Sequence, residues 1–183
     1  MGSPLPIYQP TNWKPSSAMP DFFDQPIVSN TGPLLGLSRI GRIDILGRMF
    51  PQVIVPREVA DELLLTPYAD VDDLRRELER FTITIGATTA EPLLEAELDV
   101  GEAAVIATAS ARGSLPVLMD ERKGRRVASI IYRLPVIGTG GLLVAAKRLG
   151  LVSTIRPLLE GMRSGGYHLG PTLVAECLRR AGE

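Results

Sequence analysis

The chain has 183 residues, 45% of them hydrophobic, with 20 Lys and Arg against 21 Asp and Glu for a net charge of −1. That is enough apolar material for one compact domain, and a pI near 5.9 excludes a wholly basic nucleic-acid coat, so any such contact must use a local patch. Cys177 is the single cysteine, no apolar run approaches the ~20 residues of a membrane span, and no signal-peptide pattern is present, so a soluble, cytoplasmic protein without an internal disulfide is expected.

Residues 1–26 read as a Pro-rich N-terminal arm. Pro4, Pro6, Pro10, Pro15, Pro20 and Pro26 remove backbone donors and bias their predecessors away from helix. The arm carries Trp13, Phe22 and Phe23, aromatics that suit docking on the protein's own core, the plainer reading, or on a partner. From Ile27, short apolar runs alternate with amphipathic segments. Strands are predicted at Ile27–Ser29, Val53–Val55, Phe81–Ile85, Val117–Met119 and Val136–Ile137. Helices are predicted at Leu34–Phe50 (with a break at Gly41), from Pro56, whose missing N–H suits a first turn, and at Val71–Arg80, Gly101–Arg112, Arg122–Tyr132 and Gly141–Leu149. Two more are predicted near Thr154–Arg163 and Pro171–Ala181. The alternation implies βαβ units, hence a three-layer α/β/α domain over residues 27–150 with a central, mainly parallel sheet. Residues 151–183 are expected to add C-terminal helices packed on the same domain.

Four polar residues stand at the ends of apolar runs or on the edge of apolar helix faces. Asn30 follows Ile27-Val28-Ser29, and Asp120 follows Val117-Leu118-Met119. In a parallel sheet both fall at the carboxyl rim, where ligands bind. Glu102 opens a helix and shares its face with Val105, Ile106 and Ala109, so it points toward the interior and needs a neutralising partner. Glu62 lies at the edge of the stripe made by Val59 and Leu63. Singly, Asp120 reads equally well as an N-cap, Glu102 as a complement to the helix dipole, and Glu62 as the partner of an arginine. Together, Glu62, Glu102 and Asp120 fit a site for Mg²⁺ or Mn²⁺.

Arg122, Lys123, Arg125 and Arg126 follow Asp120. Arg122 and Arg126 share a helix face and suit a substrate phosphate, or else form a solvated face. Lys147 and Arg148 make a weaker basic patch. Gly138-Thr139-Gly140-Gly141 lacks the Lys-Ser/Thr ending of a P-loop and reads as a strand-to-helix turn, with Thr139 at the rim. His168 is the only histidine and reads as a surface residue. One Cys and one His are too few for zinc.

The segments IVSNTGPLLGLSRIGRIDIL, VPREVADEL, GEAAVIATA, VLMDERKGRRVA and VIGTGGLLVAAKRLGL follow one another in order. This arrangement resembles the PIN-domain nucleases, especially the small prokaryotic branch related to VapC-type toxins, over about residues 27–150. The helical tail also looks like that branch. The resemblance implies a metal-dependent endoribonuclease, the toxin of a toxin–antitoxin pair, with RNA as substrate, a small antitoxin protein as partner and a homodimer as assembly. The apolar helix after Gly32 and the arm are then expected contact surfaces. The family's four acidic positions fall on Asn30, Glu62, Glu102 and Asp120, with Ser29 and Thr31 flanking the first. Asn30 departs from the family's Asp. It offers an amide oxygen and no charge, which implies weakened metal binding, or alternatively a catalytically impaired module acting through RNA or protein contacts. A phosphatase or DNase using the same site is a weaker rival.

Overall fold

The computed structural model describes residues 22–65, 76, 79, 81–84 and 92–183. Most of the Pro-rich arm, with Trp13, and most of the helix expected at 71–80 lie outside the described residues. Five strands form one sheet: β1 (Ile27–Ser29), β2 (Val53–Pro56), β3 (Thr82–Thr84), β4 (Val117–Leu118) and β5 (Val136–Ile137). Their order is β3-β2-β1-β4-β5, and every pairing is parallel. All residues of β1 and β2 are buried, as expected where helices cover both faces.

The order reverses at β1. The chain steps from β1 to β2 and β3 on one side, then crosses back to lay β4 and β5 on the other. The carboxyl ends of β1 and β4 therefore flank the crevice where open parallel sheets bind ligands. The Asn30 N–H donates to Leu118 O at 3.0 Å and fixes the rim of that crevice.

The helix expected over Leu34–Phe50 is two helices, α1 (Thr31–Arg39) and α2 (Asp44–Met49). Gly41 separates them at φ +62°, with its N–H on Ser38 O and the Arg42 N–H on Leu37 O, a left-handed helix ending. Pro56 belongs to β2, not to the helix α3 (Arg57–Leu65) that follows it. The short α4 (Pro92–Glu97) precedes α5 (Val100–Ala111) and has too few residues for a periodic signal. The single helix expected over Arg122–Tyr132 is α6 (Arg122–Arg126) running into a π-helical turn at Val127–Ile131. Then come α7 (Thr139–Arg148), α8 (Arg156–Ser164) and α9 (Pro171–Ala181).

Helix α5 packs over β1, β2 and β4 and against α3; α1 sits against α3, α7 and α8; α9 lies on α7. Leu34 and Leu37 are fully buried. The apolar face of α1 is thus core, which corrects its reading as a partner surface. Phe22 packs edge-on against Phe23 and Phe50, and the tilted Phe23 and Phe50 rings have centroids 5.3 Å apart, so the end of the arm docks on its own domain. Among the described residues, no helix is long and apolar enough to cross a membrane.

Lys147 and Arg148 are not an open basic patch. Lys147 Nζ donates to Glu183 Oε1 at 2.8 Å, and Arg148 Nη2 donates to Arg180 O at 3.2 Å. Glu183 also accepts from the N–H groups of Ile155 (2.7 Å) and Arg156 (3.0 Å), so one carboxylate caps α8 and ties α9 to α7. The Lys147 hydrogen bond, then that of the Ile155 N–H, lowers the Glu183 pKa to about 2 from an ordinary 4.5. A lowered carboxyl pKa stabilises the fold above the unfolded value and loses that contribution as pH falls through the folded one. Glu183→Gln is therefore expected to melt below the wild type at pH 7. The gap should close between pH 4.5 and pH 2, which thermal denaturation across that range measures.

Candidate active site

Asn30 leaves β1 in extended conformation and precedes α1 without capping it through its side chain. The residue is 7% exposed, and its Oδ1 is buried with no hydrogen-bond partner. An unsatisfied buried carbonyl costs about 1–3 kcal/mol, so this oxygen is available to a ligand at the crevice. Its neighbours are engaged. Ser29 Oγ donates to Asn30 O at 3.2 Å, and Thr31 Oγ1 donates to Glu62 Oε2 at 2.5 Å. Glu62 is exposed on α3, and one of its oxygens is held by the first residue of α1.

A Cβ built on Gly101 would lie 3.3 Å from Glu62 Oε2, 3.4 Å from Asp99 Oδ1 and 3.5 Å from Asn30 Oδ1. Three oxygens from α3, from the residue before α5 and from the end of β1 thus converge on the first turn of α5. Asp99 was not singled out above. Its signal is the Asp-x-x-Glu spacing of a capping box, and that box is present. Asp99 Oδ1 accepts from the Glu102 N–H at 2.7 Å, and Glu102 Oε2 accepts from the Asp99 N–H at 3.4 Å.

Glu102 is buried as its apolar neighbours imply, at 5% exposure. Burial first, and the Asp99 carboxylate second, push its pKa above the ordinary value. Its Oε1 lies beneath α6, where a Cβ on Gly124 would come within 2.7 Å of it and 2.4 Å of Met119 Sδ. Glycine at 124 is what lets this carboxyl pass.

Asp120 is half-buried and does not cap α6, whose N-cap is Glu121. Its Oδ1 accepts from the Thr139 N–H at 2.8 Å, and its Oδ2 accepts from Thr139 Oγ1 at 2.5 Å and from the Tyr167 hydroxyl. Tyr167 is the residue sequence reasoning passed over in favour of its neighbour. His168 is exposed, whereas burial and then the charge of Asp120 raise the Tyr167 pKa far enough to keep the phenol a donor. The basic residue beside Asp120 is Arg125. It donates to Met119 O at 3.1 Å, and a Cβ at Gly138 would meet both its Nη1 (2.2 Å) and Asp120 Oδ1 (2.8 Å). Arg122 and Arg126 are exposed, and Lys123 pairs with Glu97 at 3.0 Å.

Among the described residues, no three His, Cys, Asp or Glu side chains are gathered closely enough to hold a metal ion. The expected trio of Glu62, Glu102 and Asp120 is not closed into such a cluster. Each carboxylate is held by a neighbour instead: Thr31, the capping box of α5, and Thr139 with Tyr167. Neutral Asn30 shares the surroundings of Gly101 with Glu62 and Asp99. The donor set still fits a hard cation, because all of its atoms are oxygens and one of them is an orphaned, buried amide oxygen.

Sheet order and oxygen-lined crevice together define a doubly wound α/β domain with a candidate site at the strand-order reversal. The family model described as PIN domain matches residues 26–183, and the chain belongs to that family. PIN domains are typically nucleases and usually metal-dependent. No curated protein and no solved structure matches the chain.

Two stability measurements check the burial of Glu102. Gln at this position keeps the capping box and removes a buried charge. Because the folded-state pKa is raised, the charge opposes folding at pH values above the unfolded 4.5. Metal-free Glu102→Gln is expected to melt higher than wild type at pH 7, the difference vanishing below pH 4.5. Gly124→Ala drives a methyl into Glu102 and Met119 and should cost roughly 1–3 kcal/mol in denaturant unfolding.

Proposed function

We propose that this protein is a metal-dependent endoribonuclease that hydrolyses RNA phosphodiesters, acting as the toxin of a toxin–antitoxin pair. The observation that carries the reading is the orphaned Asn30 Oδ1, set beside Glu62 Oε2 at the crevice of a PIN domain. In this reading Glu62, Glu102 and Asp120 hold Mg²⁺ or Mn²⁺, with Asn30 as a neutral ligand. The bound ion supplies Lewis acidity toward the scissile phosphate and a lowered pKa for the attacking water.

The protein's own groups do the rest. Thr31 orients Glu62, and Thr139 orients Asp120. Ser29 braces the backbone at Asn30. Exposed Arg122 and Arg126 attract the RNA backbone electrostatically, a role that suits a chain whose overall charge gives no such attraction. Leu64, Leu65 and Val100 are exposed on the helices that carry Glu62 and Glu102. Apolar side chains beside a charged crevice suit a covering antitoxin protein. A homodimer is the assembly we propose.

A second reading is favoured by Asn30 itself: an impaired module that binds RNA or protein without cleaving. Position 30 separates the two. An added carboxylate about 4 Å from a dication contributes several kcal/mol of attraction before desolvation, so Asn30→Asp should tighten Mn²⁺ binding at least about tenfold and raise cleavage of single-stranded RNA. Asp120→Asn should lower Mn²⁺-dependent cleavage about 100-fold while leaving the fold intact. Mn²⁺ binding without cleavage in either the wild type or Asn30→Asp would favour the binding module. Running single-stranded DNA and a simple phosphate ester alongside RNA separates the DNase and phosphatase rivals.

A further inference from the structure

We infer that Tyr167 is a positioning residue of the metal centre, reaching in from the C-terminal helices to hold the Asp120 carboxylate in place. The inference rests on the metal-centre reading above and adds to it a residue from outside the sheet and its crossovers.

The local sequence explains how a tyrosine arrives there. Helix α8 ends at Gly165-Gly166. Gly166 adopts φ +82°, its N–H donates to Arg163 O at 3.0 Å, and the Tyr167 N–H donates to Met162 O at 2.9 Å. This pair of bonds is a Schellman ending, in which the residue after the left-handed glycine folds back toward the last turn. Tyr167 and Met162 then meet α1 side by side. Gly32 and Gly36 lie one turn apart on the same face of α1 and form the slot that receives them. A Cβ at Gly36 would stand 2.9 Å from the Tyr167 ring and 3.0 Å from Met162 Cε, and one at Gly32 would stand 3.5 Å from the Tyr167 hydroxyl.

With the ring seated, the hydroxyl reaches Asp120 Oδ2 and lies 3.5 Å from Thr139 Oγ1. The carboxylate now accepts three hydrogen bonds, two from Thr139 and one from Tyr167. An ionised carboxylate has about four acceptor positions, so one remains on Oδ1 for a cation. Carboxylates that ligate metals are held by outer donors in this way, and losing such a donor typically costs 10–100-fold in metal affinity.

The test is calorimetric titration of the full chain with Mn²⁺, paired with thermal melts. Tyr167→Phe keeps the ring in its slot and removes only the donor. Gly36→Ala leaves the donor, Asp120 and Thr139 untouched, and displaces the ring while favouring the helix it sits in. Both are expected to weaken Mn²⁺ binding about tenfold or more. Tyr167→Phe should have no further effect once Asp120→Asn is present, because it acts through that carboxylate. An unchanged Mn²⁺ affinity with a lowered melting temperature would make Tyr167 purely structural and overturn the inference. So would tighter binding, which would make the hydroxyl a competitor of the ion. If neither wild type nor Asn30→Asp takes up Mn²⁺, the metal-centre reading fails and takes this inference with it. Intact wild-type binding that ignores Tyr167 sinks the inference alone.

Discussion

The parallel pairing of β1 with β4 is the constraint on which the rest depends. Val28 pairs with Val117 and Ser29 with Leu118, and the Asn30 N–H extends the ladder to Leu118 O. Parallel strands end at the same edge, and the connections from β1 and to β4 leave in opposite directions. The gap between them is therefore open at the one edge where both chains turn polar. Asn30 and Asp120 face that gap because they are the first polar residues after their strands. Helix α5 crosses β1, β2 and β4 and carries Glu102 in its first turn, and α3 packs on α5 with Glu62 on its edge.

Polar groups collect here at a cost to the fold, and the backbone is shaped to accept them. A Cβ at Gly124 would clash with Glu102 and one at Gly138 with Arg125 and Asp120, while one at Gly101 would lie against Glu62, Asp99 and Asn30. Omitting three side chains opens the crevice from three sides, two of them helices and one a strand end. Glu102 then sits with a raised pKa, and Asn30 keeps a buried oxygen unanswered. Such local conflict between burial and polarity is the usual physical mark of a binding site, because stability alone would select against it.

Much of this was legible in the sequence, for a definite reason. A run such as Ile27-Val28 or Val117-Leu118-Met119 announces a buried strand, and the next polar residue announces its end. The apolar partners of Glu102 at helical spacing gave its burial. Periodicity reports how a residue faces its own element, and it carries no record of which distant residue that face meets. Tyr167 and Asp120 are 47 positions apart in the chain, so their bond had no local signature, although the Gly165-Gly166 pair did mark a helix ending that aims the next residue inward. Arg125 was passed over for a similar reason. Helical spacing paired Arg122 with Arg126, whereas what draws Arg125 in is a backbone oxygen on the preceding strand end, Met119 O. Asp99 was hidden because its capping role is local and its neighbours Glu62 and Asn30 are not.

Glu183 binds the starts of α8 and the flank of α7 at once, and α8 is the helix whose far end delivers Tyr167. The tail is thereby a strut, loaded at one end and bearing on an acid at the other. Loosening begins where hydrogen bonds are few and peripheral, well before a buried parallel sheet lets go. A tail that let go first would withdraw the Tyr167 hydroxyl and leave Asp120 on its two Thr139 hydrogen bonds while the strands stayed paired.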